Sequence, residues 1–521
     1  MYTIITLIIL GIICLIGYYL FRNLEQKAPR KIQLRQPYKP IVMIVIDSLM
    51  DSTVEQTIQM KKAPALAFLK EHGTYYAEVV SCFPTMSVCI DTTLLTGTLP
   101  QQHQIYGLCY YDSSQKEWIN IGTGAKESVA VGFREVLTNS LIRLNQQLIS
   151  RSVSTIHEST PMPTGSIGAF IYRGLNKYQL KVPRLFRWLN ILPPKIETVG
   201  PEVFSFGSMH QIGTNSKGGQ PWYRYGENDR FSTNELLALL YQNRLPVFTL
   251  VYFPTNDDYI HQKGTWVTKG LHKADLQLQR LLNAFPSWEE AVEQITWVIL
   301  GDSGQTDTLP DHKEAFVDME ILLSKYRLMP TKSKKPRAND QLVLSVNERM
   351  SYIHILDPKI DPASLARELQ THPFFDLIAW WEKETCQVVS GERPGVFSFS
   401  KNGPFYDRYD QNWQLQGNHE ILDLELKGEE IIYHRYPDVL QRLWGVYEPG
   451  VAKLVLTVKP GYEMIFQSSP RHRGASHGSL HAQDSLVPMI ITGEHHPPKH
   501  LRILDLKEWI LDLIKFQQKK V

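Results

Sequence analysis

The sequence is poor in cysteine and nearly neutral, and each of these facts excludes a class of protein. Its five cysteines are odd in number and form no Cys-x-x-Cys pair, which argues against a disulfide framework or a cysteine zinc cage. We therefore expect buried free thiols, with a bridge from Cys109 to Cys82 or to Cys89 left open. The formal charge of +2 lacks the basic excess typical of nucleic-acid-binding proteins, so we do not expect nucleic acid as a partner.

One uncharged apolar run, Tyr2 to Phe21, lies near the start of the sequence. At about 1.5 Å per residue, a helix of this length crosses the roughly 30 Å of a bilayer core. No lysine or arginine precedes the run and no small-residue cleavage site follows it, so we expect a transmembrane anchor over 1–22 rather than a cleaved signal peptide. We expect a single-pass protein of the cell membrane. The basic tether over 23–40 favours a cytoplasmic position for the rest of the chain without deciding it.

After the tether, apolar runs of strand length alternate with amphipathic helical patterns. The helical patterns include Leu271–Phe285 and Leu501–Phe516. The continuous apolar runs are typical of parallel strands buried on both faces. They are Ile41–Ile46, Ile167–Ile171, Val247–Phe253, Ile295–Leu300 and Pro488–Thr492. The alternation predicts a layered α/β fold with a central, mostly parallel sheet flanked by helices.

The sequence changes character over 341–450, where tryptophans and tyrosines appear among polar segments. We interpret this stretch as an inserted cap. The α/β domain would then have two parts, 41–340 and 451–521.

Aspartates follow the apolar runs at the points where the strands should end. Asp47 and Asp302 come directly after runs, and Asp257 comes four residues after Phe253. In sheets of this class, ligands bind beyond the carboxyl ends of the strands. A single aspartate in such a position is equally typical of a helix cap, so the prediction depends on the set.

Two histidines add imidazole to this set of carboxylates. His261 is four residues after Asp257, a spacing that lets both side chains reach one cation, and His477 lies in a Ser-His-Gly turn. Because the chain has 17 histidines, a chance pair is common. Together with the strand-end aspartates, however, they predict a site for zinc or manganese rather than calcium.

Ser87 opens a predicted helix that ends at Thr96-Gly97. A serine at a helix N-terminus is most often a cap. The same position favours a phosphate oxygen, and a neighbouring metal would make the hydroxyl a nucleophile.

In this order the motifs resemble the alkaline phosphatase superfamily, and within it the type I phosphodiesterase/nucleotide pyrophosphatase branch. The matching segments are the strand ending in Asp47, Phe83–Ser87 with Thr96-Gly97, Asp257–His261, Gly301–Gln305 and Ser476–Gly478. The resemblance implies that Ser87 is the nucleophile of a phospho-enzyme mechanism and that two divalent ions are bound, most readily zinc, with manganese as the alternative. One ion would be held by Asp47, Ser87 and Asp302, and the other by Asp257, His261 and His477.

Two departures from the family pattern qualify this expectation. The family's Asp-His-Gly is Asp302-Ser303-Gly304 here, so one imidazole ligand is missing, and Leu108 occupies the position of a phosphate-binding asparagine. We expect a membrane-anchored phosphodiesterase or phosphohydrolase whose substrate is a phosphoester, such as a lipid headgroup or an envelope component, rather than a nucleotide. The alternatives are a degenerate relative that binds a phosphorylated ligand without turnover, and a headgroup phosphotransferase.

Overall fold

The computed structural model describes residues 31–122, 132–188, 191–213, 227–467, 469–493 and 496–518. The predicted anchor, 1–22, and residues 23–30 of the predicted tether lie outside the described residues. Within the described ranges, no helix has the length and apolar character needed to cross a membrane. The anchor therefore stays a prediction.

The strands are short and distributed along the whole described chain. They are β1 Ile41–Ile46, β2 Gly73–Val80, β3 Cys109–Asp112, β4 Glu117–Asn120, β5 Thr164–Ile167, β6 Asn176–Lys181, β7 Lys195–Gly200, β8 Val203–Ser205, β9 Phe248–Phe253, β10 Thr296–Gly301, β11 Thr306–Asp307, β12 Phe316–Asp318, β13 Leu342–Asn347, β14 Met350–Ile355, β15 Phe375–Glu382, β16 Thr385–Val389, β17 Phe397–Asp407, β18 Asn412–Gly417, β19 Leu424–Lys427, β20 Glu430–Tyr433, β21 Lys453–Val458, β22 Glu463–Ile465, β23 Ala475–Ser476 and β24 Leu486–Thr492.

Helices lie between many of these strands. They are α1 Asp51–Gln59, α2 Pro64–Glu71, α3 Ser87–Thr96, α4 Pro100–His103, α5 Phe133–Thr138, α6 Ile156–Ser159, α7 Arg184–Trp188, α8 Asp229–Tyr241, α9 Thr255–Lys263, α10 Lys269–Leu282, α11 Trp288–Gln294, α12 His312–Ala315, α13 Met319–Leu322, α14 Pro362–Gln370, α15 Val439–Trp444, α16 Ala482–Ser485 and α17 Leu506–Gln518. A π-helical segment covers Asn139–Leu148, and 3₁₀ turns cover His419–Leu422 and Ile503–Asp505.

The central sheet has seven strands in the order β2-β24-β10-β1-β9-β5-β8. Strands β10, β1, β9, β5 and β8 are parallel neighbours, whereas β24 pairs antiparallel with β10 and β2. Every residue of β1, β9 and β10 is buried, because apolar clusters cover both faces of the sheet. The predicted α/β fold with a mostly parallel central sheet is confirmed.

The register of the three middle strands determines where the polar residues emerge. Ile46 pairs with Phe253 on one side and with Gly301 on the other. Asp47 and Asp302 therefore leave the same edge of the sheet next to each other. Helix α9 begins two residues after β9 at this edge and carries the third aspartate, Asp257.

A second, mostly antiparallel sheet extends from β13 to β21, residues 342–458. Its apolar residues join those of the central sheet in one cluster, which includes Val45 of β1, Leu94 of α3 and Tyr352 of β14. The predicted cap, 341–450, falls within this sheet, although β21 follows its predicted end. The division into domains stays a prediction.

One strand was predicted in the wrong place. The run Ile167–Ile171 was expected to be a strand, but β5 ends at Ile167. Gly168 has a φ of 69°, a left-handed conformation that turns the chain out of the extended form and ends the strand.

The four described cysteines behave as buried thiols. Cys82, Cys89, Cys109 and Cys386 are all buried, and none of the four is in a disulfide bond. Cys82 Sγ lies 3.6 Å from Cys89 Sγ, in hydrogen-bond contact. Neither of the bridges to Cys109 that the sequence left open is formed.

Candidate active site

A cavity of about 750 Å³ opens at the carboxyl edge of the central sheet. The predicted site residues that line it are Asp47, Ser87, Asp257, His261 and His477. Asp302, the sixth, is only 1% exposed, and its Oδ1 accepts a hydrogen bond of 2.9 Å from the Ser48 N–H. The structure thus brings together six side chains from distant parts of the sequence.

The turn after β1 connects two of the aspartates. Ser48 has a φ of 57°, in the left-handed region that costs a non-glycine residue roughly 1 kcal/mol or more. In this conformation its N–H reaches Asp302, while its hydroxyl donates to Asp257 Oδ1 at 2.9 Å. Gln305 Nε2 donates to Ser48 Oγ and to Asp257 Oδ1, both at 2.8 Å. Sequence reasoning gave no role to Ser48 or Gln305, which hold the aspartates in place.

We call Asp47, Ser87 and Asp302 the oxygen half of the site. Ser87 is the first residue of α3, and its side chain hydrogen-bonds with Tyr252. The Tyr252 hydroxyl also donates to Asp302 Oδ2 at 3.3 Å. Burial raises the pKa of Tyr252 well above its usual range, and the nearby carboxylates of Asp302, Asp47 and Asp91 add to the effect. Tyr252 is therefore a neutral donor among carboxylates.

Asp91 lies near Asp302 of the oxygen half, and sequence reasoning did not identify it. It lies one turn after Ser87 on α3 and is 1% exposed, and neither carboxylate oxygen has a hydrogen-bond partner among the described residues. Burial raises its pKa well above the usual range, and Asp302 raises it further. The available signal was an aspartate four residues after Ser87, one turn along the same predicted helix.

Ser303 stands where the family pattern has an imidazole. Its N–H donates to Asp302 Oδ1 at 2.7 Å, but its buried hydroxyl has no hydrogen-bond partner within the described part of the chain. Gly304 follows with no room for a side chain, since a Cβ there would lie 2.0 Å from the Gln483 carbonyl oxygen. A buried hydroxyl that follows Asp302 directly and has no hydrogen-bond partner among the described residues fits an all-oxygen cation site.

We call Asp257, His261 and His477 the histidine half. Asp257 and His261 are one turn apart on α9, with 3.1 Å between Asp257 Oδ1 and His261 Nε2. His261 Nδ1 lies 2.8 Å from the Ala475 carbonyl oxygen, and His477 Nδ1 contacts the Thr85 carbonyl oxygen, so in each neutral ring Nε2 is the nitrogen available to a metal. The ligand atoms of the three residues lie within 4.8 Å of one another.

The carboxylates around His261 stabilise positive charge at this position. Burial lowers the pKa of His261, but the carboxylates of Asp257 and Glu348 outweigh burial and raise this pKa to about 10. The donor set of two imidazoles and a carboxylate is one that zinc prefers. The residues of both halves therefore fit divalent ions.

The fold and this site define an α/β phosphoester hydrolase. The chain belongs to the type I phosphodiesterase/nucleotide pyrophosphatase family, whose family model matches residues 41–480. The predicted resemblance to this branch of the alkaline phosphatase superfamily is confirmed.

Similar solved structures include two of murine ectonucleotide pyrophosphatase/phosphodiesterase 5, one of them an inactive variant in complex with AMP. Each is 10% identical to this chain with a TM-score of 0.52. The alignments cover 92% and 91% of this chain and 95% of the murine chains. At this identity the likeness shows the fold alone. No curated protein matches the sequence.

Proposed function

We propose that this protein is a phosphodiesterase that depends on two divalent cations and uses Ser87 as its nucleophile. The observation that carries the proposal is the convergence of both halves on one cavity at the carboxyl edge of the sheet. Asp47, Ser87 and Asp302 would hold one cation, and Asp257, His261 and His477 the other. When bound, the ions would supply positive charge to the phosphate oxygens and to the Ser87 oxygen.

The steps can be assigned to this chain's own residues. Ser87 Oγ bonds to phosphorus as the bond to one ester oxygen breaks, and the serine proton leaves with the departing alcohol. The N-terminus of α3, which begins at Ser87, would lie toward the phosphate oxygens, where the helix dipole favours negative charge. Water then releases the remaining phosphate monoester and restores the Ser87 hydroxyl.

The two halves should prefer different metals. Carboxylate and hydroxyl oxygens suit hard cations such as manganese, whereas imidazole suits zinc. We therefore propose zinc in the histidine half and manganese in the oxygen half, where Ser303 takes the place of an imidazole.

The rest of the cavity indicates the kind of substrate. Basic side chains line one part of it, from Lys263, Arg471 and Arg473. Apolar side chains line another part, including Leu108 at the position of the family's phosphate-binding asparagine. An anionic ester with an apolar portion fits this lining, and the predicted membrane anchor would bring the site to lipid headgroups. AMP, bound by the murine relative, is the comparison ligand.

The test is hydrolysis of a chromogenic phosphodiester by the full chain in detergent, with zinc, with manganese and with both. Ser87→Ala should reduce turnover by more than about 10⁴-fold, as removal of a nucleophilic serine does elsewhere. The matched control is Ser287→Ala, another serine at a helix N-terminus, whose hydroxyl caps α11 away from the cavity. Equal turnover by wild type and Ser87→Ala would refute the proposed nucleophile.

A second candidate is a binding protein without turnover, favoured by Ser303, which stands in place of an imidazole and whose hydroxyl has no hydrogen-bond partner in the part of the chain that the structure describes. It predicts no hydrolysis of any ester by the wild type with either metal, together with retained binding of a phosphorylated ligand. Calorimetry with phosphate monoesters and diesters separates the two candidates.

A further inference from the structure

Two groups of potential metal ligands overlap at His261. One is the histidine half, and the other consists of His261, Glu348 and His472. In each group the ligand atoms lie within 4.8 Å of one another. The ring centroids of His472 and His477 are 4.1 and 5.3 Å from that of His261, so three imidazoles cluster at the cavity wall.

The two groups share one coordinating nitrogen. His261 Nδ1 is engaged by the Ala475 carbonyl oxygen at 2.8 Å, which leaves Nε2 for a metal. One imidazole nitrogen binds one ion. The two groups therefore describe the surroundings of a single cation rather than two separate sites.

The second sheet places Glu348 next to the position of this single cation. It lies in the two-residue turn between β13 and β14 with a φ of 57°, a strained conformation for a glutamate. The Glu348 carbonyl oxygen accepts from Met464 N–H at 2.9 Å, and the next N–H, of Arg349, donates to the His477 carbonyl oxygen at 3.0 Å. The backbone of the turn is thus fixed directly against the His477 turn.

The Glu348 carboxylate lies at a ligand-like distance from the His477 ring. Its Oε2 is 3.9 Å from His477 Nε2 and accepts the His477 N–H at 3.1 Å, and the His472 ring is also close, with 3.7 Å between its Nδ1 and Glu348 Oε2. Ligand atoms on one zinc ion are roughly 3 to 4 Å apart, given metal–ligand bonds of about 2 Å. Small side-chain adjustments would therefore place Glu348 on the same ion as the histidines.

His472 is held in position by a carboxylate of its own. Glu463, which is 1% exposed on its side chain, accepts the His472 N–H at 3.2 Å and lies 3.2 Å from His472 Nδ1. Because Glu463 engages Nδ1, the nitrogen of His472 that is left for a metal is Nε2, and a carboxylate that orients a metal-bound histidine through its other nitrogen is a common support in metal sites.

We propose that Glu348 and His472 are additional ligands of the cation held by His261, beyond Asp257 and His477. With Asp257, Glu348 brings the carboxylate charge to two, which balances a divalent ion. The histidine half then binds its ion more tightly than three side chains would. The inference rests on the proposed function for the presence of this ion and on the geometry for its ligands.

The test is the affinity of the full chain for its first equivalent of zinc, measured by competition with a chromophoric chelator. Glu348→Gln and His472→Gln should each weaken this affinity by about 10- to 100-fold. The control pair is Glu425→Gln and His434→Gln, which alter a surface Glu–His contact of 3.1 Å and should leave zinc affinity unchanged. At one equivalent of zinc, the X-ray absorption spectrum of His472→Gln should show one imidazole ligand fewer than that of wild type.

Thermal melting of the metal-free proteins shows whether each variant folds, and if Glu348→Gln does not, His472→Gln carries the test. Unchanged zinc affinity in a folded His472→Gln, with an unchanged absorption spectrum, would overturn the inference. Wild type that hydrolyses the diester while both variants bind zinc normally would refute this inference alone. Wild type that binds zinc as expected but hydrolyses nothing would refute the proposed function and leave the inference standing.

Discussion

The two halves of the site balance their charges in different ways. In the histidine half, buried carboxylates contact imidazoles: burial raises the pKa of Glu348, but His472, His477 and His261 lower it more, so the net shift is downward. In the oxygen half and beside it, burial raises the pKa of Asp302 and of its neighbour Asp91, and the net shift of each is upward. Imidazoles thus offset the charge of the Glu348 carboxylate, whereas burial dominates for Asp302 and Asp91, whose charge a cation would offset under the proposed function.

Under the proposed function, this difference would let the oxygen half bind a cation without an imidazole. The oxygen half keeps two carboxylates and the Ser87 hydroxyl, and Ser303 would add a second hydroxyl in place of the imidazole, a donor set that suits a hard cation. With the proposed ions in place, we expect a tightly held ion at the histidines and a more exchangeable ion beside Ser87. The following predictions test this comparison, beginning with the largest expected effect.

Asp302→Asn should abolish most of the turnover while leaving the first zinc ion in place. The change removes a carboxylate of the oxygen half but no ligand of the histidine half, so we expect a loss of about 10³-fold or more, the scale of lost electrostatic stabilisation at a reacting oxygen. Turnover and metal content are measured on the same sample. Loss of the tight zinc in this variant would show that the halves are not independent.

Arg349→Met should destabilise the fold by about 3–5 kcal/mol, because it leaves the buried Asp484 carboxylate without its cation. Arg349 also donates to Thr306 Oγ1 at 2.7 Å and follows Glu348, so it joins the second sheet to the histidine half. Urea unfolding measures the change. Arg367→Met, which breaks an exposed pair of 3.9 Å with Asp361, should change stability by less than about 1 kcal/mol. Similar costs for the two variants would contradict the assignment of a buried pair.

Ser303→His should make the two halves more alike. An imidazole beside Asp302 would raise the affinity for a second zinc equivalent by about tenfold or more and reduce the preference for manganese. A zinc titration of the variant, compared with wild type, gives the answer. An unchanged affinity for the second zinc equivalent would mean that position 303 does not face the cation.

Zinc affinity of the histidine half should rise with pH. Because the pKa of His261 is raised to about 10 in the metal-free protein, zinc must displace a proton from this ring at neutral pH. Between pH 6 and pH 8, the apparent affinity should increase by about tenfold per unit for each proton displaced. A flat profile would contradict the protonated state of His261.

The residues predicted from the sequence are those that follow central strands or share one helix. Asp47 and Asp302 could be predicted because continuous apolar runs identify buried parallel strands, whose ends meet at one edge. Asp257 and His261 could be predicted from their spacing of four residues. The end of β5 was predicted wrongly, because apolar character continues past the turn at Gly168.

Glu348 and His472 could not be predicted from the sequence in this way. Glu348 lies on a hairpin of the second sheet, and His472 lies in the loop between β22 and β23. Their approach to His261 depends on how the two sheets pack, which no local periodicity encodes. Asp91 is an intermediate case, since its spacing from Ser87 is visible in the sequence but its burial is not.

The most direct test of the two-half account is anomalous diffraction from crystals loaded with zinc and manganese together, recorded at both absorption edges. The account predicts a zinc peak among His261, His477 and Asp257 and a manganese peak between Asp47 and Asp302, about 4 Å away. Peaks for both metals confined to the histidines, with none beside Asp47 and Asp302, would contradict it.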